Sequence, residues 1–128
     1  DEPDAVAMLR QLSGRWHQVF TGVAVTEVPS GHTMHCHETT AVKFRALRAS
    51  EIDAYVRTKE PLDKAGAYGI QGKGALLVER IDGCYFNVVG LPLVKLARLL
   101  ARFGVDVWEE GERTGHEVPS DLERTTPR

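Results

Sequence analysis

The sequence predicts an α/β domain of the mixed α+β kind, in which helices flank a sheet. Three observations lead to this prediction. Two long segments alternate apolar and polar side chains with the period of two that is typical of strands. Three other segments place apolar side chains three and four residues apart, as amphipathic helices do. Short clusters rich in glycine, proline and serine separate the segments and indicate turns.

The amino-terminal half is predicted to form a helix, a β-hairpin and a second helix. The apolar spacing of residues 4–12 is helical. Residues 16–28 and 33–47 are rich in valine, threonine and aromatic residues, and the turn cluster 29–31 joins them. We therefore expect an antiparallel hairpin with one buried face. Ser50 stands before two acidic residues, so it is the expected N-cap of the second helix.

The carboxyl-terminal half is predicted to contain a glycine-rich loop, two strands and a helix. Residues 62–74 hold four glycines and show no clear period. A strand is predicted over residues 75–81, and another strand or an extended run over residues 85–89 after an Asp-Gly turn. Residues 92–103 carry an apolar stripe with basic residues outside it, which predicts a helix. Residues 109–128 are rich in Glu, Arg, Thr, Gly and Pro, which predicts a mobile tail.

The composition is that of one globular domain, expected over residues 1–108. Hydrophobic residues make up 42% of the chain and charged residues 27%. The formal net charge of −2 gives no strong field for nucleic acid or a membrane surface. The sequence shows neither a signal peptide nor an apolar run of membrane-spanning length, and Cys36 and Cys84 form no CxxC pair. We expect a cytoplasmic protein without nucleic-acid or membrane partners.

The glycine-rich loop is the main candidate site. Its glycines let backbone N–H groups approach phosphate oxygens closely. Asp63 and Lys64 add a carboxylate for a divalent cation and a point charge for phosphate, and the Gln71 amide suits the edge of a base. In the alternative, the glycines only satisfy turn geometry while Asp63 and Lys64 form a surface ion pair. Spacing alone favours that alternative.

A second cluster contains three histidines and a cysteine: His32, His35, Cys36 and His37. Such side chains can bind a transition metal. On a strand, however, His35 and His37 would share one face and Cys36 would point to the other. A polar hairpin strand is therefore the favoured interpretation, and metal binding is the weaker hypothesis.

Residues 60–72, Glu-Pro-Leu-Asp-Lys-Ala-Gly-Ala-Tyr-Gly-Ile-Gln-Gly, resemble the signature of the Maf family of nucleoside triphosphate pyrophosphatases. Further matches in the family's order extend the resemblance over roughly residues 4–103. One departure is Lys59, where the family usually has glycine. The resemblance implies a Maf/ITPase-like sheet with flanking helices, of which this chain would be the carboxyl-terminal portion, incomplete at the amino end.

The resemblance implies an enzyme that hydrolyses a nucleoside triphosphate to the monophosphate and pyrophosphate with a divalent metal cation, Mg or Mn. Asp63, Lys64 and Glu38 would be the catalytic residues, and Asp63 and Glu38 would hold the metal. The residues implied in substrate binding are Gln71, Gly69, Gly72 and Thr39. The glutamine at position 71 would mark the subfamily that prefers dTTP and UTP over 7-methyl-GTP.

The family also carries Ser-Pro-Arg-Arg and Ala-Asp-Thr segments, which hold two phosphate-binding arginines and the general base. Neither string occurs in these 128 residues. We therefore keep an alternative from another class: a catalytically inactive remnant that binds nucleotide or acts as an oligomeric interaction module. Exposed apolar surface would then favour association, so a homodimer is a possible partner state.

Overall fold

The computed structural model describes residues 1–63 and 67–109, with Asp63 described through its backbone alone. In this part of the chain, helices flank a three-stranded antiparallel sheet with the strand order β1-β2-β3, which confirms the predicted mixed α+β class. Two predictions lie outside the described residues: the role of Lys64 and the mobile tail beyond residue 109.

The elements are α1 (Glu2–Leu12), β1 (Trp16–Thr26), β2 (Thr33–Phe44), α2 (Ala49–Arg57), β3 (Val78–Asp82), α3 (Tyr85–Val89) and α4 (Leu93–Arg102). Two 3₁₀ helices, Glu60–Asp63 and Lys73–Leu77, stand at the two ends of the glycine-rich loop. Among the described helices, none combines the length and hydropathy that crossing a bilayer requires.

The hairpin of β1 and β2 is the longest pairing in the sheet. Its register joins Trp16 to Lys43 at one end and Thr26 to Thr33 at the other. Burial alternates along both strands, so one face packs on helices and the opposite face is largely exposed. The predicted hairpin is therefore confirmed. Its second strand ends at Phe44 rather than at residue 47, because Arg45 turns to donate its N–H to the Leu77 carbonyl at 3.0 Å.

The hydrophobic core lies on the covered face of the sheet, between β2 and the first two helices. Leu9, Val42 and Phe44 have no exposed surface. The other buried members of this cluster are Ala5, Ile52, Tyr55, Val56, Ala67 and Leu77. Because Tyr55 and Ala67 belong to it, the core reaches up to the base of the glycine-rich loop.

The predicted strand over residues 85–89 is wrong, because this segment is the short helix α3. Valines and aromatic residues favour a strand locally, but tertiary hydrogen bonds decide the outcome. Asn87 is fully buried and donates through its amide nitrogen to the Val19 carbonyl and to the Thr40 hydroxyl, both at 3.0 Å. The helix ends at Gly90, whose φ of 148° is a conformation that side chains disfavour.

Two predicted boundaries also change. The segment predicted as a strand over residues 75–81 begins as a 3₁₀ helix, and extended structure starts only at Val78. The predicted N-cap Ser50 lies inside α2, which begins at Ala49 with Arg48 as its N-cap. The Arg48 N–H donates to the Glu51 carboxylate at 3.0 Å, so the acidic residue closes the start of the helix.

Candidate functional site

The described part of the glycine-rich loop is held at its two ends by one carboxylate, that of Glu60. One Glu60 oxygen accepts from the Lys73 N–H and the other from the Gly74 N–H, each at 3.0 Å. Gly72 packs so closely on this carboxylate that a Cβ there would collide with it. At Gly74 a Cβ would collide with the Gly69 carbonyl. A side chain at Gly74 would therefore have to displace backbone, whereas one at Gly72 would have to displace the Glu60 carboxylate from its two N–H partners.

Two tyrosines fix the middle of the loop. The Gly69 N–H donates to the Tyr55 hydroxyl at 3.0 Å. Burial raises the pKa of Tyr55, and its hydrogen bond to the Glu60 carboxylate raises it further. Tyr68 is hydrogen-bonded through its hydroxyl to His17 Nε2 at 2.8 Å, and burial raises its pKa to about 12. Both phenols are therefore neutral hydrogen-bonding groups at physiological pH.

His17 links the loop to the sheet. Its ring packs edge-to-face against Phe44 and Tyr68, with centroid distances of 5.1 and 5.6 Å. Partial burial lowers the pKa of His17 below its ordinary value, since the half-buried ring loses some of the hydration that favours its charged form. The neutral imidazole is thus the favoured form, and the contact with Tyr68 is one between two uncharged groups.

The structure brings together three of the predicted substrate-binding residues. Gln71, Gly69 and Gly72 line one cavity of about 290 Å³. Val88 and Val89 from α3 form its apolar wall. Gln71 is exposed, so its amide is accessible to a ligand, while the backbone on both sides of it is fixed by Glu60 and the tyrosines. An exposed amide on a fixed backbone is suited to recognition of a polar ring edge.

Glu38 and Thr39 lie in a second, larger cavity of about 930 Å³. One Glu38 oxygen accepts from the Thr39 N–H at 3.1 Å, and the other lies 3.7 Å from Lys95 Nζ. The two cavities are separated by α3. Its first residues, Tyr85 and Phe86, line the larger cavity, whereas its last two line the smaller one. The predicted site residues thus fall into two neighbouring groups.

The carboxylate of Glu38 has the donor chemistry that the expected metal requires. Mg²⁺ and Mn²⁺ prefer oxygen ligands, and Mg²⁺ is commonly held by one or two carboxylates together with phosphates and water. The described residues contain no group of three or more His, Cys, Asp and Glu side chains that could hold a metal ion alone. Glu38 is therefore one oxygen ligand of the kind that such an ion accepts. The side chain of Asp63, its predicted partner, is not among the described atoms.

Sequence reasoning missed three structural contributors to these cavities: Glu60, Asn87 and Lys95. Glu60 begins the signature run 60–72, but the residue pattern alone assigns it no role. Asn87 is an amide within a run of aromatic and β-branched residues, Tyr-Phe-Asn-Val-Val, and such a polar interruption is a usable signal for a buried hydrogen-bonding residue. Lys95 gave no signal, because its partner on β2 is 58 residues away.

The described part of the glycine-rich loop, the exposed Gln71 amide and the neighbouring cavity with acidic and basic side chains together form the candidate site of a mixed α+β domain. The chain belongs to the Maf-like protein family, whose model matches residues 1–103. It is 64% identical over 109 residues to the dTTP/UTP pyrophosphatase of Moorella thermoacetica, a match covering 84% of this chain and 56% of that relative.

Two further relatives have the same name. The dTTP/UTP pyrophosphatase of Acetivibrio thermocellus is 59% identical over 107 residues, covering 84% of this chain and 54% of the relative. That of Bacillus pumilus is 54% identical over 105 residues, covering 82% and 54%. The chain therefore spans about half the length of the curated relatives it matches.

Proposed function

We propose that this chain contributes to the hydrolysis of dTTP or UTP to the nucleoside monophosphate and pyrophosphate. The observation that carries the proposal is the cavity formed by Gln71, Gly69 and Gly72. It lies on the signature loop of a chain that is 64% identical over 109 residues to a dTTP/UTP pyrophosphatase. Family membership supports the reaction class, and the cavity supports the base preference.

Gln71 is proposed to select the base. Its amide oxygen accepts and its amide nitrogen donates, so together they can pair with the carbonyl and N–H edge of uracil or thymine. Glu60 and Tyr55 hold the described residues on both sides of Gln71 before any ligand binds, so little ordering of these residues is needed on binding. A site built on such polar contacts discriminates against a base that leaves them unpaired.

The phosphate end of the substrate is proposed to lie toward Asp63, Lys64 and Glu38. Glu38 and Asp63 would hold a divalent cation, Mg²⁺ or Mn²⁺, whose chemistry when bound is to neutralise phosphate charge. Thr39 fixes the Glu38 carboxylate through its N–H at 3.1 Å. In the balanced reaction, water is added across the anhydride bond between the first and second phosphoryl groups. That bond breaks, and the products are the nucleoside monophosphate and pyrophosphate.

A pyrophosphate-release assay tests this proposal. We expect dTTP and UTP to be consumed in the presence of Mg²⁺ or Mn²⁺, and 7-methyl-GTP to be a much poorer substrate. Gln71→Glu should lower kcat/KM for dTTP and UTP at least about tenfold, because a carboxylate cannot donate to the base carbonyl. Gln11→Glu makes the same chemical change at an exposed position of α1 and serves as the matched control. An unchanged substrate profile in Gln71→Glu would contradict the assignment.

The proposed role of Lys64 has a separate test. Lys64→Ala should weaken binding of dTTP, measured by titration calorimetry, because a point charge on the phosphates is lost. Lys73→Ala removes a lysine from the other end of the same loop and is the control. Equal dTTP affinity in wild type and Lys64→Ala would argue against the role of Lys64.

A second candidate function is nucleotide binding or assembly without turnover. Exposed apolar surface favours assembly, since the Trp108 side chain is 90% exposed. Calorimetry and the pyrophosphate-release assay together separate the two candidates. Binding of dTTP by calorimetry with no pyrophosphate release would select the second, whereas release that depends on the divalent cation would select the first.

The cytoplasm is the proposed setting. Cys36 and Cys84 are both free thiols, and unpaired cysteines are typical of a reducing compartment. The net charge of −2 provides no strong field for nucleic acid or for an anionic membrane surface, so neither is proposed as a partner. Cell fractionation tests this setting, and recovery of the protein with membranes would contradict it.

A further inference from the structure

We propose that Lys95 and Arg98 of α4 form a polyphosphate-binding subsite in the larger cavity. This inference rests on the proposed function and adds two residues to the proposed site. Both side chains line the cavity that also contains Glu38 and Thr39. The ligand class is a nucleoside polyphosphate, bound through its phosphate chain.

Lys95 is held at the cavity wall with donor capacity to spare. Its ammonium group donates to the His37 carbonyl at 2.7 Å and lies 3.7 Å from the Glu38 carboxylate. The second distance allows an ion pair but is too long for a hydrogen bond. An ammonium group has three donors, so the His37 contact leaves two of them for a ligand. The side chain is only 19% exposed, so its position is restricted before a ligand arrives.

Arg98 lies three residues further along α4, and residues with this spacing share one side of a helix. It is exposed, and within residues 1–63 and 67–109 it has neither an ion pair nor a hydrogen bond. Its five N–H donors, arranged in a planar fork, match the oxygens of a phosphate group. Two cations on one turn of a helix repel each other, and an anion bound between them would relieve this repulsion.

The charges in the cavity indicate that binding depends on a divalent cation. The two cationic side chains, Lys95 and Arg98, are balanced by two acidic ones, Glu38 and Asp82. The cavity therefore has no formal net charge with which to hold a highly negative phosphate chain. Mg²⁺ shared between the Glu38 carboxylate and the phosphates would remove that obstacle. We therefore expect polyphosphate binding to be much weaker when EDTA replaces Mg²⁺.

A purely structural role is a plausible alternative for Lys95 but not for Arg98. Lys95 fastens α4 to β2 through the His37 carbonyl, and removing it could loosen that contact. Arg98 has no such contact with a described residue, so Arg98→Gln should leave the fold intact. The Arg98 variant therefore decides the question, and Lys95→Arg tests whether the charge at position 95 restores binding.

The experiment is a calorimetric titration of the 128-residue chain with inorganic tripolyphosphate and with a non-hydrolysable α,β-imido analogue of dTTP, in Mg²⁺ and in EDTA. Arg98→Gln and Lys95→Gln should each raise Kd about tenfold for both probes, because each substitution removes a charge-assisted hydrogen bond to the phosphates. Lys95→Arg should stay within about threefold of wild type. Arg102→Gln removes the same charge on the same helix outside the cavity lining, so less than about a twofold change is expected.

The outcomes separate this inference from the function on which it rests. If wild type binds both probes and Arg98→Gln is indistinguishable from Arg102→Gln, the subsite is disproved while the proposed function stands. If wild type binds the dTTP analogue and not tripolyphosphate, base recognition is supported and the subsite is again disproved. Failure of wild type to bind either probe would overturn both. Thermal melting of each variant confirms folding, and loss of folding in Lys95→Gln would leave the decision to Arg98→Gln.

Discussion

Lys59 has the left-handed backbone conformation that glycine adopts most easily. Its φ is 69°, and it follows the last turn of α2, where its N–H donates to the Val56 carbonyl at 3.0 Å. This is the helix-ending position at which glycine is common. Its side chain compensates in part through an ion pair with Glu2 at 2.9 Å. Lys59, which stands where the family usually has glycine, therefore preserves the turn but holds a strained backbone conformation.

Lys59→Gly is expected to be more stable than Lys59→Ala by about 1 kcal/mol. Both variants lose the exposed ion pair with Glu2, worth less than about 1 kcal/mol, but only alanine retains the left-handed strain of about 1–2 kcal/mol. Urea denaturation of the two variants measures the difference. Equal free energies of unfolding would mean that the backbone at position 59 is not strained.

His17 should make stability depend on pH. Its folded pKa lies below its unfolded value of about 6.5, so as pH falls the unfolded chain takes up a proton that the folded chain does not. The contribution of His17 to the free energy of unfolding is therefore fully present above the unfolded pKa. It declines as pH falls from about 6.5 toward the folded pKa. Protonation would also place a charge beside the Tyr68 contact.

His17→Gln should flatten the fall in unfolding free energy between about pH 7.5 and 5, whatever its effect on stability at neutral pH. Urea denaturation across this interval measures the slope. His35→Gln changes an exposed histidine on the neighbouring strand and is the control, for which we expect the slope of wild type. If the unfolding free energy of His17→Gln fell with pH as steeply as that of wild type, burial of His17 would not be the cause of the pH dependence.

At the scale of elements, the two ends of the glycine-rich loop depend on Glu60. Glu60→Ala removes the acceptor for two backbone N–H groups and should lower the free energy of unfolding by about 1–3 kcal/mol. Glu60→Gln keeps one acceptor oxygen and should fall between alanine and wild type. Glu79→Ala removes only an exposed ion pair with Lys43 and should cost less than about 1 kcal/mol. Equal losses in Glu60→Ala and Glu79→Ala, by urea denaturation, would contradict this account.

The elements also show how far the sequence determines the prediction. The hairpin and the helices α1, α2 and α4 follow from periodicity, because each buries one face and repeats its apolar residues accordingly. The short helix α3 could not be found in this way. Its local composition favours a strand, and its structure depends on Asn87 reaching carbonyl and hydroxyl groups on two distant strands. Local propensity is a weak guide where such tertiary contacts decide.

The candidate site divides in the same manner. Gln71, Gly69 and Gly72 are neighbours in sequence, so a motif predicts their grouping, and the structure places them in one cavity. Lys95 and Arg98 were predicted only as basic residues outside the apolar stripe of a helix. Their approach to Glu38 depends on how α4 packs across β2, and no spacing within a single segment encodes that packing.

At the scale of the whole molecule, an exposed apolar surface lies around α4. A cavity of about 650 Å³ there is lined mainly by Leu93, Leu96, Leu100, Val105, Val107 and Trp108. Trp108 is 90% exposed. Apolar surface of this kind commonly marks a contact with another protein. A homodimer would have a suitable contact surface here.

We expect sedimentation velocity to show concentration-dependent association that Trp108→Glu weakens at least about tenfold, because a charge would have to be buried with the apolar residues. Trp16→Glu changes an aromatic residue on the sheet, outside this cavity, and is the control. A sedimentation coefficient that does not change with wild-type concentration would contradict the homodimer.

The contact between Glu60 and Gly72 also restricts how this loop can diversify. Any side chain at Gly72 would displace the carboxylate, and any at Gly74 would meet the Gly69 carbonyl. Saturation mutagenesis across residues 69–74 should therefore recover almost no folded substitutions at Gly74, where backbone is in the way, and fewer stable ones at Gly72 than at the exposed Gln71. A directed-evolution library aimed at new base preferences is best concentrated on position 71 and the facing valines of α3, where variation leaves the backbone of the loop intact.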